Sequence, residues 1–153
     1  MPTYPLPGGR LSPGRGFTGP LPGHTGADLV HPDGTCARRV VAPISGVVTW
    51  AENLGGGHGL LVTNGPEQWG LWHLSGRLVR GGEKVNEGQP VATAGASGTR
   101  VQGCNLHVER KVNGQLTDPM PALGGEVDRP TRIEVEPGAS CPPGYAKDPS
   151  GPN

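Results

Sequence analysis

Glycine and proline are so frequent in this chain that they limit it to short extended segments joined by turns. Its 153 residues include 28 glycines and 18 prolines, and only 33% of the residues are hydrophobic. Proline removes a backbone hydrogen-bond donor and glycine adds conformational entropy to the unfolded chain, so both disfavour long helices. The length and composition therefore predict one domain of short strands with irregular tails.

The middle of the chain has the patterns expected of β-strands and of the turns between them. Asn64-Gly65 closes one apolar segment, which is a strong hairpin signal, and Asn113-Gly114 turns the chain again. Strands at this spacing indicate a closed or folded sheet rather than βαβ units. The predicted strands are Arg39 to Ala42, Gly46 to Trp50, His58 to Thr63, Trp69 to Leu74, Gln89 to Ala94 and Asn105 to Lys111.

The two ends of the chain are predicted to be irregular arms. Residues 1–23 and 137–153 are rich in proline and glycine, so they should form no regular element and should be disordered on their own. The first residues lack a basic region followed by an apolar stretch, so no signal peptide is expected. No apolar run approaches the roughly 20 residues that would cross a membrane. A formal net charge of zero gives no electrostatic argument for a nucleic-acid partner.

The three cysteines leave two alternatives open. Cys36, Cys104 and Cys141 lack CxxC spacing, so a zinc site built from cysteines is not expected. A Cys36–Cys104 disulfide is conceivable, because both residues lie near the candidate metal ligands described next. For a protein made in the cytosol, free cysteines are the favoured interpretation.

Two separated stretches contain a candidate set of metal ligands. The set consists of His24, Asp28 and His107, two imidazoles and a carboxylate, which can bind zinc and leave a position open for water. On a straight strand His24 and Asp28 would lie about 13 Å apart, so the chain must turn between them, as Gly26 permits. Asn105 and His107 are two residues apart and would face the same side of a strand. The simpler alternative is that His24 and Asp28 form an ordinary surface pair.

His73 is the remaining candidate for catalysis. It alternates onto the face shared by Trp69 and Leu71, where a neutral imidazole could hydrogen-bond a water at the metal or a developing oxyanion. Glu109 faces the same side as His107. It is either a hydrogen-bond partner of that histidine or a solvated strand carboxylate.

Six segments in order make the middle of the chain similar to the M23 peptidases, the lysostaphin-type zinc endopeptidases that cut peptidoglycan peptides. The similarity runs from about His24 to Leu123, which covers most of the chain outside the arms. The segments are His24 to Val48, His73-Leu74-Ser75, Val79 to Gln89, Gly95 to Thr99, Leu106 to Glu109 and Asn113 to Pro119.

The resemblance implies an antiparallel β-sheet or sandwich core over residues 24–123, with an arm at 1–23 and a tail at 124–153. It also implies that zinc is bound by His24, Asp28 and His107, and that His73 assists catalysis. Active M23 members usually have a histidine at the position of Asn105, where it helps to stabilise the transition state. Asparagine can still donate a hydrogen bond, but it cannot carry a proton.

The first functional hypothesis is a zinc-dependent endopeptidase acting on peptidoglycan peptides. The missing signal peptide, the small size and the arms suggest a bacteriophage tail component that opens the cell wall, made in the host cytoplasm and carried in the virion. Other tail proteins would then hold the terminal arms. An endolysin released from the host cytosol would share the missing signal.

Two hypotheses of other classes remain. Asn105 favours a non-enzymatic member of the family, a structural or wall-binding tail protein that keeps the fold. The segments from Val41 to Gly46 and from Gly82 to Gln89 are similar to lipoyl and biotinyl carriers. Such carriers need an exposed lysine on a hairpin between these segments, and the stretch from Trp50 to Arg80 contains none.

Overall fold

Antiparallel β-structure dominates the computed structural model, which describes residues 2–124. A 3₁₀ turn, Pro121–Leu123, follows the last strand of this region. No helix within residues 2–124 combines the length and apolar character needed to span a bilayer. The predicted 124–153 tail lies outside the described residues except for Gly124. The strands are β1 Arg10–Leu11, β2 Ala27–Val30, β3 Arg39–Val41, β4 Gly46–Asn53, β5 Gly57–Asn64, β6 Glu67–Arg77, β7 Lys84–Val85, β8 Pro90–Ala94, β9 Leu106–Val112 and β10 Gln115–Thr117.

The strands form one sheet, and the paired strands within residues 2–124 are all antiparallel. The main path runs β1-β2-β9-β6-β5-β4-β7, while β10 pairs with β9, β8 with β6, and β3 with β8. Asn64-Gly65 lies at the β5–β6 turn and Asn113-Gly114 forms the β9–β10 turn, as predicted. The prediction of a mainly antiparallel β fold is confirmed.

The centre of the sheet separates a buried face from the face that carries the candidate site. Along β9, Leu106 and Val108 are fully buried, while His107 and Glu109 alternate with them and point to the opposite side. Leu71 of β6 lies opposite Val108 and is also fully buried. Hydrophobic burial on one side of β9 therefore fixes which of its residues face the site.

The first residues pack against this core, so the prediction that they form no regular element is wrong for β1. β1 pairs with β2, placing Leu11 opposite Leu29. Leu6 has no exposed surface, and the amide of Val41 donates to the carbonyl of Pro5 at 2.9 Å. Two isolated leucines among prolines and glycines carry no periodic signal, and their burial depends on distant parts of the chain.

A disulfide joins Cys36 to Cys104, so the interpretation of both as free cysteines is wrong. Their Cα atoms are 5.2 Å apart although 68 positions separate them in the sequence. Cysteine spacing alone cannot reveal this proximity, because the strands between the two residues bring them together. Cys141 lies outside the described residues.

Candidate metal centre

The segment before β2 bends at Gly26 and lies against β9, which brings the two sequence stretches together. A Cβ atom on Gly26 would come within 2.1 Å of the Val108 carbonyl oxygen, so only glycine allows this approach. The β2–β9 register places Asp28 directly opposite His107. The predicted turn between His24 and Asp28 is therefore present, and the missing side chain of Gly26 is what permits it.

Ligand-type atoms of His24, Asp28 and His107 converge on one point. Asp28 Oδ1 lies 2.8 Å from His107 Nδ1 and 3.3 Å from His24 Nε2. One such atom from each of the three residues lies within 4.8 Å of the other two. Two ligands of a tetrahedral zinc ion bound at about 2.1 Å would be roughly 3.4 Å apart, so the three residues fit the coordination of a metal ion and leave a fourth position open.

The ring of His24 is oriented by the N-terminal segment. Its Nδ1 lies 2.9 Å from the carbonyl oxygen of Gly16. Because a carbonyl only accepts, Nδ1 carries a hydrogen, and Nε2 is the ring nitrogen that faces the centre. Backbone from the predicted arm thus selects the tautomer that a metal requires.

Glu109 and Thr25 fix the ring of His107 from the other side. His107 Nε2 lies 3.1 Å from Glu109 Oε2, and the Thr25 hydroxyl donates to the same oxygen at 2.6 Å. Burial lowers the pKa of His107, but the hydrogen bonds that its ring donates to Asp28 and Glu109 outweigh burial and raise the pKa to about 9. Of the two interpretations of Glu109, the structure supports the hydrogen-bond partner, since only a quarter of its side chain is exposed.

Asp28 is held as a carboxylate at the middle of the centre. Burial raises its pKa, yet hydrogen bonds with His107 and His24 lower the pKa far more, well below the usual range. Its second oxygen, Oδ2, accepts a hydrogen bond from Arg15 Nε at 3.0 Å. Both oxygens of Asp28 are therefore fixed, one by the histidines and the other by a residue of the N-terminal segment.

His73 reaches the same site through a β-bulge rather than by alternation. Leu74 pairs with His58 and Trp72 with Gly59, which leaves His73 as the extra residue, with a φ of 69°. The bulge turns its side chain towards the cavity that Trp72 lines, so the prediction that it shares the buried face of Trp69 and Leu71 is wrong.

The protonation of His73 follows from its surroundings. Its Nδ1 donates to the carbonyl oxygen of Ser97 at 2.8 Å. Burial lowers the pKa of His73, and the hydrogen bond to Ser97 opposes this only partly. The ring is therefore neutral at pH 7, with Nε2 as its free acceptor. Its centroid lies 5.9 Å from that of His107.

The four residues line one cavity of about 580 Å³, here called the metal cavity. Trp72 forms part of its wall, and the neighbouring strand makes room for the indole. A Cβ on Gly59 would come within 2.3 Å of Trp72 Cε3, and a Cβ on Gly56 within 2.8 Å. This volume suits a short peptide segment.

Asn105 lines a different cavity. Its Nδ2 donates to the Gly103 carbonyl at 3.3 Å, and its buried Oδ1 has no hydrogen-bond partner within residues 2–124. This second cavity, here called the side cavity, has a volume of about 550 Å³ and shares Arg15, Asp28 and Arg100 with the metal cavity. A catalytic role for Asn105 stays a prediction.

The site also contains three residues that have no signal in the sequence: Arg15, Thr25 and Arg100. Arg15 lies in a segment with no recognisable pattern, and Arg100 in a glycine-rich loop. Trp72 also lines the metal cavity, and the glycines on β5 and beside it are the sequence signal for its position. Glycines on a strand next to a tryptophan often leave room for its large ring.

Known peptidases are similar to this chain in sequence. The family model "Peptidase family M23" matches residues 22–119. The peptidoglycan DD-endopeptidase ShyC of Vibrio cholerae is 36% identical over 112 residues, which is 72% of this chain and 24% of ShyC. The chain spans only about a quarter of the length of the first curated relatives it matches.

Solved structures show the same fold. A zinc-containing peptidase from Vibrio cholerae superposes with a TM-score of 0.65 at 26% identity, covering 74% of this chain and 37% of that one. A point mutant of the catalytic domain of the prophage-encoded M23 protein EnpA from Enterococcus faecalis gives a TM-score of 0.62 at 26% identity, covering 78% of this chain and 94% of that domain.

Proposed function

The chain belongs to peptidase family M23, and we propose that it is a zinc-dependent endopeptidase that cleaves the peptides of peptidoglycan. One observation carries the proposal. His24, Asp28 and His107 converge at a point in a peptide-sized cavity that His73 also lines. The similarity to a peptidoglycan DD-endopeptidase supports the substrate class.

Zinc is the proposed metal because the donor set suits it. Two imidazole nitrogens and one carboxylate with an open fourth position form a typical catalytic zinc site. A zinc ion bound there supplies Lewis acidity, which polarises a carbonyl and lowers the pKa of water to about 7. The similarity to a zinc-containing peptidase supports the same choice.

The protein's own groups would orient the substrate and handle the proton. His73 is neutral, and the Ser97 carbonyl holds its Nδ1–H, so its Nε2 can accept a proton in the cavity. Once protonated, the same nitrogen can donate a hydrogen bond to the carbonyl oxygen of the scissile amide as negative charge develops there. Trp72 provides an apolar wall for the substrate.

Digestion of purified peptidoglycan tests this function. The zinc-loaded protein should release soluble fragments, and chelation should abolish the release. His73→Ala should reduce the rate by about 10²–10⁴, the usual contribution of a general acid–base group. His58→Ala is the matched control, because this exposed histidine pairs with Glu52 and does not line the metal cavity. Equal activity of the native protein and His73→Ala would contradict the role of His73.

A catalytically impaired, structural or wall-binding protein is the second candidate, and the position of Asn105 favours it. The side chain of Asn105 lines the side cavity, and its Nδ2 is engaged by Gly103. An asparagine also cannot take up the proton that a histidine could.

Asn105→His separates the two candidates. If the native protein is impaired, the substitution should raise the hydrolysis rate by about 10²–10³, the usual value of one group that stabilises the oxyanion. A native protein that already digests peptidoglycan at a rate unaffected by Asn105→His would rule the second candidate out.

Placement in a phage tail is a further proposal. The similarity to a prophage-encoded M23 domain supports a phage origin. Partner proteins holding the arms remain part of this proposal, although residues 3–11 already contact the chain's own core. Immunolabelling of purified virions with an antibody against this chain tests the placement. Labelled tails would support it, and virions that lack the chain and stay unlabelled would refute it.

A further inference from the structure

Two arginines lie where the metal cavity meets the side cavity. Arg15 and Arg100 line both cavities, together with the ligand Asp28. Among the described residues, these three are the charged side chains that line the side cavity. Their single carboxylate already contacts His24, His107 and Arg15. The side cavity therefore has an excess of positive charge directly beside the metal centre.

Within residues 2–124, the guanidinium of Arg100 has no acidic partner. The ion pairs within residues 2–124 leave it out, whereas Arg15 and Arg110 each contact a carboxylate. The Nε of Arg15 donates to Asp28, and its two terminal nitrogens have no hydrogen-bond partner within residues 2–124. Arginines placed in this way bind carboxylates strongly, because the planar guanidinium can donate two parallel hydrogen bonds.

Two loops packed against each other hold Arg100 in position. Thr99 and Arg100 donate their amides to the carbonyls of Leu54 and Gly55 at 2.9 and 3.1 Å. A Cβ on Gly55 would come within 2.9 Å of Arg100 Cδ, so the side chain lies across the bare backbone of that glycine. The loop contact fixes the stem of Arg100 and so reduces the entropy lost when its head binds an anion.

We propose that Arg100, assisted by the terminal nitrogens of Arg15, binds a free carboxylate of the peptide substrate at the junction of the metal cavity and the side cavity. The proposal rests on the proposed function for the nature of the substrate. It goes further by making the protein selective for peptides that carry a carboxylate at this point over peptides that are neutral there. Neutral hydrogen-bonding groups from Ser12, Thr99 and Asn105 also line the side cavity and can contact the adjoining peptide.

Two probes that differ in a single group test this selectivity. Acetyl-D-alanyl-D-alanine and its carboxamide are titrated into the zinc-loaded and the metal-free protein, and binding is followed by amide chemical shifts in NMR. The native protein should bind the carboxylate about tenfold more tightly than the carboxamide in both forms, as expected for a charge-assisted hydrogen bond at an exposed site. Arg100→Gln should lose most of this preference, and Arg100→Lys should keep part of it.

Arg80→Gln is the matched control, because Arg80 is exposed and lines neither cavity. Equal affinity for the two probes, no binding of either, or an undiminished preference in Arg100→Gln would overturn the proposal. The titration of the metal-free protein measures the carboxylate preference independently of any peptidase activity. A carboxylate preference without peptidoglycan hydrolysis would refute the peptidase activity alone, and hydrolysis without the preference would refute the arginine site alone.

Discussion

Glu109→Gln is predicted to weaken zinc binding even though Glu109 is not one of the three ligands. The native carboxylate accepts hydrogen bonds from His107 Nε2 at 3.1 Å and from the Thr25 hydroxyl at 2.6 Å. The Glu109 carboxylate fixes the imidazole of His107 and makes that imidazole a more basic metal ligand. Groups in this position usually contribute 10–100-fold to metal affinity. Glutamine keeps an acceptor oxygen and loses only the charge, so the expected loss is about tenfold, or about 1.4 kcal/mol.

The size of this loss should depend on pH, since protons compete with zinc for His107. Its pKa of about 9 means that the metal-free protein carries a proton there at pH 7. Displacing that proton costs about 100-fold in zinc affinity, or roughly 2.7 kcal/mol. Removing the charge of Glu109 also lowers the pKa of His107, which partly relieves this competition. The variant should therefore bind almost as well as the native protein at pH 7 and about tenfold more weakly near pH 9.

Competition with a chromophoric chelator, measured from pH 6.5 to 9, gives the zinc affinity of both proteins. Glu52→Gln serves as the control, because Glu52 is exposed and pairs with His58 outside the metal cavity. If Glu109→Gln bound zinc more weakly than the native protein by the same factor at every pH, protons would not compete with zinc for His107 as described. Unchanged affinity at pH 9 would refute the supporting role of Glu109.

Three further predictions concern stability. The free energy of unfolding of the metal-free protein should fall by up to about 3 kcal/mol as the pH rises from 6.5 through 9, because the raised pKa of His107 stabilises the fold only while that residue is protonated. A melting temperature that rises over this pH range would contradict the prediction. Leu6→Ala should lower the free energy of unfolding, measured in urea, by about 2–5 kcal/mol, since the Leu6 side chain is fully buried. Leu78→Ala should lower it little, since Leu78 is 54% exposed. Equal effects of the two substitutions would show that residues 2–11 do not pack as described. Reduction of the Cys36–Cys104 disulfide, which closes a long loop, should cost about 4 kcal/mol, and an unchanged unfolding midpoint after complete reduction would contradict this.

Patterns that are local in the sequence predicted the centre of the fold well. The apolar segments that became β4, β5, β6 and β9 were recognisable, as were the two Asn-Gly turns. Three of the four shortest strands, β1, β7 and β10, have only two or three residues and no measurable alternation. They form because neighbouring strands offer hydrogen bonds, which the sequence of the short segment does not show.

The residues of the candidate site also differ in how well the sequence predicts them. His24, Asp28 and His107 were predicted from residue type and from the resemblance to M23 peptidases, and the structure brings them together. The direction of His73 depends on a bulge between β5 and β6, which reverses the alternation on which the prediction relied. The contact of Arg15 with Asp28 joins a segment without periodicity to a distant strand, so only the folded chain reveals it.

The most direct test of the peptidase proposal is a zinc titration of the metal-free protein on purified peptidoglycan, with new amino termini counted by mass spectrometry of the released fragments. The convergence of His24, Asp28 and His107 predicts that new termini appear in proportion to added zinc and level off at one equivalent. Asp28→Asn should show no such rise. A folded protein that binds one equivalent of zinc and releases no new termini would contradict the account.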